Sequence, residues 1–366
     1  MNSHFWFVAA GTGGHIFPGL AVAKQIAKSS PQSSFLFWGD SSRLEAKLVP
    51  QAGFPIHFLN VEQWKGRSKI RKVLALLGVA FSCFKVYVES LRRRPTALVT
   101  VGGYVSVPVA VAARLRGIPV FIIEPNSVSG VANVLVSKWA REAYVSPALP
   151  ESGKLRCEMI KTGNPVREDL PQLAIRSDVE QILVLGGSQG AIALARGAVL
   201  AALEMKSLGL KFRWVIQAGE KNQAEVAELV TRSGLSTTVT VVPFIADMAA
   251  AYASSDLLIS RAGATTLAEM AVVGIPNILV PFPHAADDHQ RVNARAFERI
   301  GAARMADEVD PDFAKKLSAN IRDLCASDSG LQKRTTMHLK LRDFARPQAS
   351  QEIAQRIMNH VERVKA

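Results

Sequence analysis

Apolar residues along the chain fall into short runs of three to six, each bounded by Gly, Pro or a polar cluster. Such runs suit strands buried on both faces of a parallel sheet. In the first half they predict strands at residues 5–10, 34–38, 56–59, 97–101, 120–123 and 143–145. In the second half they predict strands at 182–185, 212–217, 240–242, 257–260 and 277–280. The stretches between carry helical spacing. One helix is predicted from about Pro18, with the proline in its first turn. Others are predicted over 266–273 and near 311–327 and 348–364. Strand and helix alternate throughout, which places the chain in the α/β class.

The two halves echo each other. Gly11-Thr12-Gly13-Gly14 and Gly186-Gly187-Ser188-Gln189-Gly190 each join a first strand to a first helix, and Thr162 to Arg167 (TGNPVR) forms a seam. At 366 residues, 48% of them hydrophobic, the chain is long enough for two cores. The expected architecture is two doubly wound domains cut between residues 163 and 164, with a cleft between facing loop edges. Ligands of such sheets bind beyond the carboxyl ends of the strands.

The densest chemistry lies at 256–293. A strand, a Gly-containing loop and a helix give backbone N–H groups at a helix N-terminus, which attract phosphate. One turn in, Glu269 can accept hydrogen bonds from the vicinal hydroxyls of a ribose. The next strand end carries His284, Asp287, Asp288, His289 and Gln290. In the first half, Gly11–Gly14 is an anion cradle but not a dinucleotide fingerprint, because Ile16 stands where the last glycine is required. His15 at its rim is a candidate general base. Gly102-Gly103-Tyr104 and Glu124-Pro125-Asn126 follow further strands on the same edge, and Glu124 competes with His15 for that role. A rival reading takes Gly186–Gly190 as a G-x-S-x-G nucleophile elbow, with Ser188, Asp256 and His284 in hydrolase order. It leaves the first-half glycine loops without a task, so phosphate binding is the preferred reading. Asp310-Pro311-Asp312 looks like a metal motif but reads as a helix start, Asp at the cap and Pro at the first position. No metal and no cofactor is expected.

Charge changes the picture. Residues 1–163 hold 20 Lys/Arg against 8 Asp/Glu, whereas the remainder holds 24 against 23. A basic half beside a neutral one calls for an anionic partner, nucleic acid or a membrane surface. Between Gln63 and Lys85 there are six basic residues and no acid, and Val73, Leu77, Phe81 and Phe84 form one apolar stripe while Leu74, Leu76 and Val79 leave other faces apolar. The segment 65–85 is therefore expected to dock on an anionic leaflet, through Lys72, Leu74, Leu76, Leu77 and Phe81. Its longest uncharged stretch, 73–84, is too short to span a bilayer. Residues 5–10 make a poor signal peptide and a better strand. Cys83, Cys157 and Cys325 are scattered without a CxxC pair, which argues against a disulfide framework or a zinc site and for a reducing compartment.

Six motifs in order, AGTGGHIFPGLAVA, VGGYVS, TGNPVR, GGSQGA, RAGATTLAE and PHAADDHQ followed by NA, closely resemble the peptidoglycan GlcNAc transferase family across nearly the whole chain. The resemblance implies a GT-B fold of two Rossmann-like domains, 1–163 with a returning helix at 347–366, and 164–346. The first would serve the acceptor and the membrane, the second UDP-GlcNAc. It implies inverting transfer of GlcNAc to the C4 hydroxyl of the muramyl sugar of lipid I, giving lipid II at the cytoplasmic face of the bacterial inner membrane. Thr12, Gly13, Gly14, Asn126, Arg167, Ser188, Ile245, Ala264, Thr265, Thr266, Leu267, Ala268, Glu269 and Gln290 would hold UDP-GlcNAc. Gly13, Gly14, Gly102, Gly103 and Tyr104 would hold the acceptor pyrophosphate. Nucleic acid then drops out as a partner, and contacts with cell-wall and division proteins enter. Pro125, Ser129 and Val107 stand where the family pattern has Gln, Ala and Gly, all on the acceptor side. A UDP-GlcNAc 2-epimerase of the same fold is the nearest alternative, one that needs no lipid acceptor.

Overall fold

The computed structural model describes residues 3–59, 61, 69–146, 154–187, 190–285, 288–325 and 327–365, with side chains for all of these except 69–76, 327, 364 and 365. The chain divides into two compact units, Met1–Glu168 with Arg346–Ala366, and Asp169–Ala345.

The first unit is a seven-stranded parallel sheet of β1 (His4–Ala9), β2 (Ser34–Gly39), β3 (Ile56–Phe58), β4 (Ala97–Gly102), β5 (Val120–Glu124), β6 (Glu142–Val145) and β7 (Glu158–Ile160), ordered β3-β2-β1-β4-β5-β6-β7. Its crossovers carry α1 (Gly13–Ser29), α2 (Glu45–Gln51), α3 (Lys69–Arg92), α4 (Ser106–Leu115) and α5 (Val131–Val136). Strand alternation sorts β1 onto two faces. Phe5, Phe7 and Ala9 pack with Ile16, Leu20 and Ile26 of α1, whereas Trp6 and Val8 pack with Val86 of α3 and Val109 of α4. At the amino edge, Trp6 Nε1 donates to His4 Nε2 at 3.0 Å. An indole can only donate, so Nε2 is the acceptor and Nδ1, 2.8 Å from Ser34 Oγ, carries the proton. Burial and the neighbouring Arg93 hold the His4 pKa down at about 4, which keeps this tautomer neutral.

The second unit has six parallel strands, β8 (Gln181–Leu185), β9 (Arg213–Gln217), β10 (Val239–Val242), β11 (Leu257–Ser260), β12 (Asn277–Leu279) and β13 (Arg304–Met305), ordered β10-β9-β8-β11-β12-β13. Helices α6 (Ile192–Ser207), α7 (Gln223–Arg232), α8 (Met248–Ala253), α9 (Ala264–Val273), α10 (His289–Arg299), α11 (Phe313–Cys325) and α12 (Ser327–Phe344) accompany them. The chain then returns to the first unit as α13 (Ala349–Lys365), whose Ile353, Ala354, Ile357 and Val361 join the core under α1. This is the arrangement of two doubly wound parallel sheets that the sequence predicts.

Strand order reverses between β1 and β4 in the first unit and between β8 and β11 in the second. At such switch points, neighbouring loops part and leave a crevice at the carboxyl edge. Gly11–Gly14 and Gly102-Gly103 fall at the first switch point, and Gly186-Gly187 and Gly263 at the second.

Several elements differ from the sequence reading. Helix α1 starts at Gly13 rather than Pro18, because the N–H groups of His15 and Ile16 already bond to Thr12 O. Pro18 is thus one turn inside, where it forgoes one backbone bond. Helix α11 starts at Phe313: the Asp310 carboxylate accepts from Asp312 N–H at 2.9 Å in a turn, so Asp310-Pro311 precedes the helix instead of capping it. Strands β7 and β13 and helix α12 were not predicted. The two strands are three and two residues long, too short for an apolar run to register.

Candidate functional site

In the first unit, three strand-end loops converge. Gly102 lies so near α1 that a side chain there would sit 3.4 Å from the His15 ring. Gly103, at φ 90°, approaches Ala10 closely: a Cβ would stand 2.7 Å from the Ala10 carbonyl oxygen. Only glycine serves at 103, and its absence of side chain lets the β4 loop close on the β1 loop. His15 Nδ1 is 3.3 Å from Thr12 Oγ1, which places the other ring nitrogen beside Gly102. Tyr104 stands half exposed at the rim.

Glu124 ends β5 and is buried. Its carboxylate accepts from Asn126 N–H (3.1 Å), Gly130 N–H (3.0 Å) and the Asn133 amide (2.9 Å). Burial pushes its pKa up, and these three hydrogen bonds oppose that shift. Both oxygens are engaged in folding the 125–130 loop back on itself. Asn133 also reaches Val101 O at 3.3 Å, tying the ends of β4 and β5 together. Glu45, fully buried, accepts from Gly11 N–H at 3.1 Å and Asp40 N–H at 3.0 Å, and so fastens the first glycine loop. Neither Asn133 nor Glu45 was singled out from sequence. Asn133 is the lone polar residue of its short helix, a faint signal in one sequence, and Glu45 sits among other polar residues that hide it. Arg167 lies over the Phe17 ring at 5.6 Å, next to α1.

In the second unit the β8 and β11 loops adjoin at the switch. Gly190, left-handed at φ 74°, lies against the Ala218 carbonyl, so any side chain there would meet backbone. Ser188 and Gln189, between Gly187 and Gly190, lie outside the described residues, as does Asp287. Gly263 precedes α9 in extended conformation, and the first intrahelical bond runs from Leu267 N–H to Gly263 O at 2.9 Å. This sets the N-terminus of α9 at the carboxyl edge of the sheet, the end of a helix that favours anions. Asn293 of α10 donates to Ala262 O at 3.0 Å, fixing that loop from the next element.

Glu269 is buried one turn into α9, and its Oε2 accepts from the Tyr252 hydroxyl at 3.1 Å. One oxygen of the carboxylate is thus oriented by the Tyr252 hydroxyl. Gln290 Oε1 accepts from Phe282 N–H at 3.0 Å, leaving the amide NH₂ as its donor end. Ile245 is half-buried after β10, with Phe244 exposed beside it. Arg261 donates to Val280 O and Pro281 O, both at 3.2 Å, and pairs with Glu308 at 2.7 Å. It was read only as part of a motif, yet it ties the β11, β12 and β13 loops together.

The hydrolase triad does not form. Asp256 precedes β11 and accepts from Glu180 N–H (2.8 Å) and Gln181 N–H (3.0 Å) at the start of β8, while His284 follows β12. The strand length separates them onto opposite edges of the sheet.

On α3, Ser82, Val86 and Ser90 are buried toward α4, while Leu77 (61% exposed), Phe81 (70%), Phe84 (64%) and Leu91 (56%) line the solvent face. Residues 62–68 and the side chains of Lys72, Leu74 and Leu76 lie outside the described residues. Among the described residues no helix is long and apolar enough to cross a membrane.

The description "glycosyltransferase family 28 N-terminal domain" fits residues 5–145, and its C-terminal counterpart fits residues 181–355. A protein of Tolumonas auensis named UDP-N-acetylglucosamine–N-acetylmuramyl-(pentapeptide) pyrophosphoryl-undecaprenol N-acetylglucosamine transferase is 39% identical over 312 residues, covering 83% of this chain and 85% of its own. One of the same name from Ectopseudomonas mendocina is 37% identical over 369 residues, covering 98% and 99%. Among solved structures, MurG of Acinetobacter baumannii matches with a TM-score of 0.78 at 30% identity, over 98% of this chain and 99% of that one. A UDP-N-acetylglucosamine 2-epimerase matches at 0.66 with 12% identity, a likeness of fold alone.

Proposed function

Because the chain belongs to the family of UDP-N-acetylglucosamine–N-acetylmuramyl-(pentapeptide) pyrophosphoryl-undecaprenol N-acetylglucosamine transferases, within glycosyltransferase family 28, we propose that it transfers GlcNAc from UDP-GlcNAc to the C4 hydroxyl of the muramyl sugar of lipid I, with inversion. The observation that carries this reading is the pair of switch-point crevices, one per sheet, each built from two glycine loops. The second unit is the donor unit. Its α9 N-terminus and the 186–190 loop, with Ser188 as a hydrogen-bond donor, take the diphosphate, and Glu269 takes the ribose. Ile245 and Gln290 complete the nucleotide-sugar site.

The first unit is the acceptor unit, its β1 and β4 loops holding the pyrophosphate and Tyr104 flanking it. His15 takes the proton from the C4 hydroxyl as the oxygen attacks the anomeric carbon, and the bond to UDP breaks in the same step. Charge building on the departing diphosphate is met by fixed N–H dipoles, which need no rearrangement as the reaction proceeds. The test is UDP release from UDP-GlcNAc that depends on an added lipid I analogue. Release without acceptor would support the epimerase reading instead.

Glu269→Gln is expected to weaken UDP-GlcNAc binding by about 1.5–3 kcal/mol, the range for a charge-assisted hydrogen bond. Tyr252→Phe, which frees the orienting contact, should weaken it by less. Calorimetry decides: a Glu269→Gln variant that binds UDP as tightly as the parent removes Glu269 from the ribose.

The exposed stripe Leu77, Phe81, Phe84 is the membrane-docking face of the acceptor unit, with Lys85, Arg92 and Arg93 supplying charge near it. The enzyme then works peripherally at the cytoplasmic leaflet that holds lipid I. Leu77→Ser with Phe81→Ser should lower co-sedimentation with anionic vesicles at least tenfold, each apolar side chain contributing about 1.5–3 kcal/mol when buried. UDP-GlcNAc affinity should survive. Undiminished sedimentation would place the membrane contact elsewhere.

A further inference from the structure

Two consecutive acids after β13, Asp307 and Glu308, each hold an arginine from a neighbouring element of the second unit. Glu308 takes Arg261. Asp307 takes Arg291, in the first turn of α10, whose Nε also lies 3.1 Å from Asp288 Oδ2 and 3.3 Å from Oδ1. The side chains of Arg291 and Asp307 are each only 19% exposed, so this is not a solvated surface pair of the kind that contributes little. Asp288, immediately before α10, is the only non-glycine residue with left-handed backbone among the described residues, at φ 53°. Asp tolerates that region better than most residues, yet it persists only where surrounding contacts fix it.

Gln290 lies two residues on, its carbonyl already held by Phe282 N–H. Its remaining amide group can therefore aim at a ligand only if the turn at 288 is fixed. We propose that Arg291, clasped between Asp288 and Asp307, is a positioning residue for the nucleotide sugar: it holds the left-handed turn and so directs the Gln290 amide into the donor site. Asp307 is its counterpart, anchored in turn by accepting from Val309 N–H at 3.3 Å. The inference rests on the donor-site reading above. It differs from a general stabilising role because the contacts converge on one turn and one side chain, and not on the α9 N-terminus or Glu269. It should therefore act on the sugar and not on the UDP moiety.

The experiment compares Arg291→Gln, Asp307→Asn and the double variant with the parent, by calorimetry with UDP-GlcNAc and with UDP, and by steady-state transfer. Each single variant should raise the KM for UDP-GlcNAc about five- to twentyfold while the Kd for UDP moves less than twofold. The double variant should be no worse than the poorer single, the non-additivity expected of one shared contact. Should Arg291→Gln fail to fold, Arg291→Lys gives the same readout, since it keeps the charge and loses the planar fork. Unchanged KM, equal losses for UDP and UDP-GlcNAc, or additive single effects would each overturn the clasp. A parent protein that binds neither ligand would overturn the donor-site reading with it, whereas a parent that binds both and variants that match it would sink the clasp alone.

Discussion

Replacing His15 by Ala should lower kcat by about 10²- to 10⁴-fold, the usual contribution of a positioned general base, while changing UDP-GlcNAc affinity less than twofold. The ring sits in the first unit, between Thr12 and Gly102 at the carboxyl edge of β1 and β4, and the nucleotide contacts proposed above lie mostly in the second. Glu124, the competing candidate at the carboxyl edge, has both oxygens engaged by backbone and amide donors. Its replacement by Gln should therefore disturb acceptor binding through the 125–130 loop, raising the acceptor KM more than it lowers kcat. Steady-state kinetics of the two variants separate the roles. An unchanged kcat for His15→Ala together with a collapse for Glu124→Gln would exchange them.

Arg261→Met should destabilise the second unit by about 3–5 kcal/mol, because removing one partner of a buried ion pair leaves the other charge uncompensated. Arg261 and Glu308 are each about nine-tenths buried, and the guanidinium also caps two carbonyls at the end of β12. Adding Glu308→Gln should restore part of the loss, since the orphaned carboxylate is then gone, although the carbonyls of Val280 and Pro281 still lack their donor. Denaturant unfolding followed by a second-unit probe measures this. A loss below 1 kcal/mol for the single variant would mean that the pair contributes little and that the three loops are held by packing.

Much of this was legible before any coordinates. Eleven strands were predicted from apolar runs, because a parallel sheet covered on both faces demands unbroken apolar segments. The glycine motifs announced the carboxyl edge, since only glycine fits where backbones approach as closely as Gly103 does Ala10. What stayed hidden was the support around those loops. Glu45, Asn133, Asn293 and Arg261 each act through a partner distant in sequence, and nothing local marks a buried polar side chain as satisfied. The start of α1 was misplaced for a related reason. Pro18 looked like a first-turn proline, but the helix gains its first bonds from Thr12 O, and the glycines before it adopt helical geometry with the helix already begun. The elbow-like Gly-x-Ser-x-Gly pattern supported only a rival reading, and topology removes it by placing Asp256 at the amino edge.

The central claim is a single inverting transfer to the C4 hydroxyl of a muramyl sugar. The most direct measurement is the structure of the product formed from UDP-GlcNAc and a soluble lipid I analogue, read by NMR. The account predicts a β-linked GlcNAc on the muramyl C4 oxygen, formed with stoichiometric UDP. An α linkage, attachment at another hydroxyl, or UDP appearing with a free epimerised sugar and no disaccharide would contradict it.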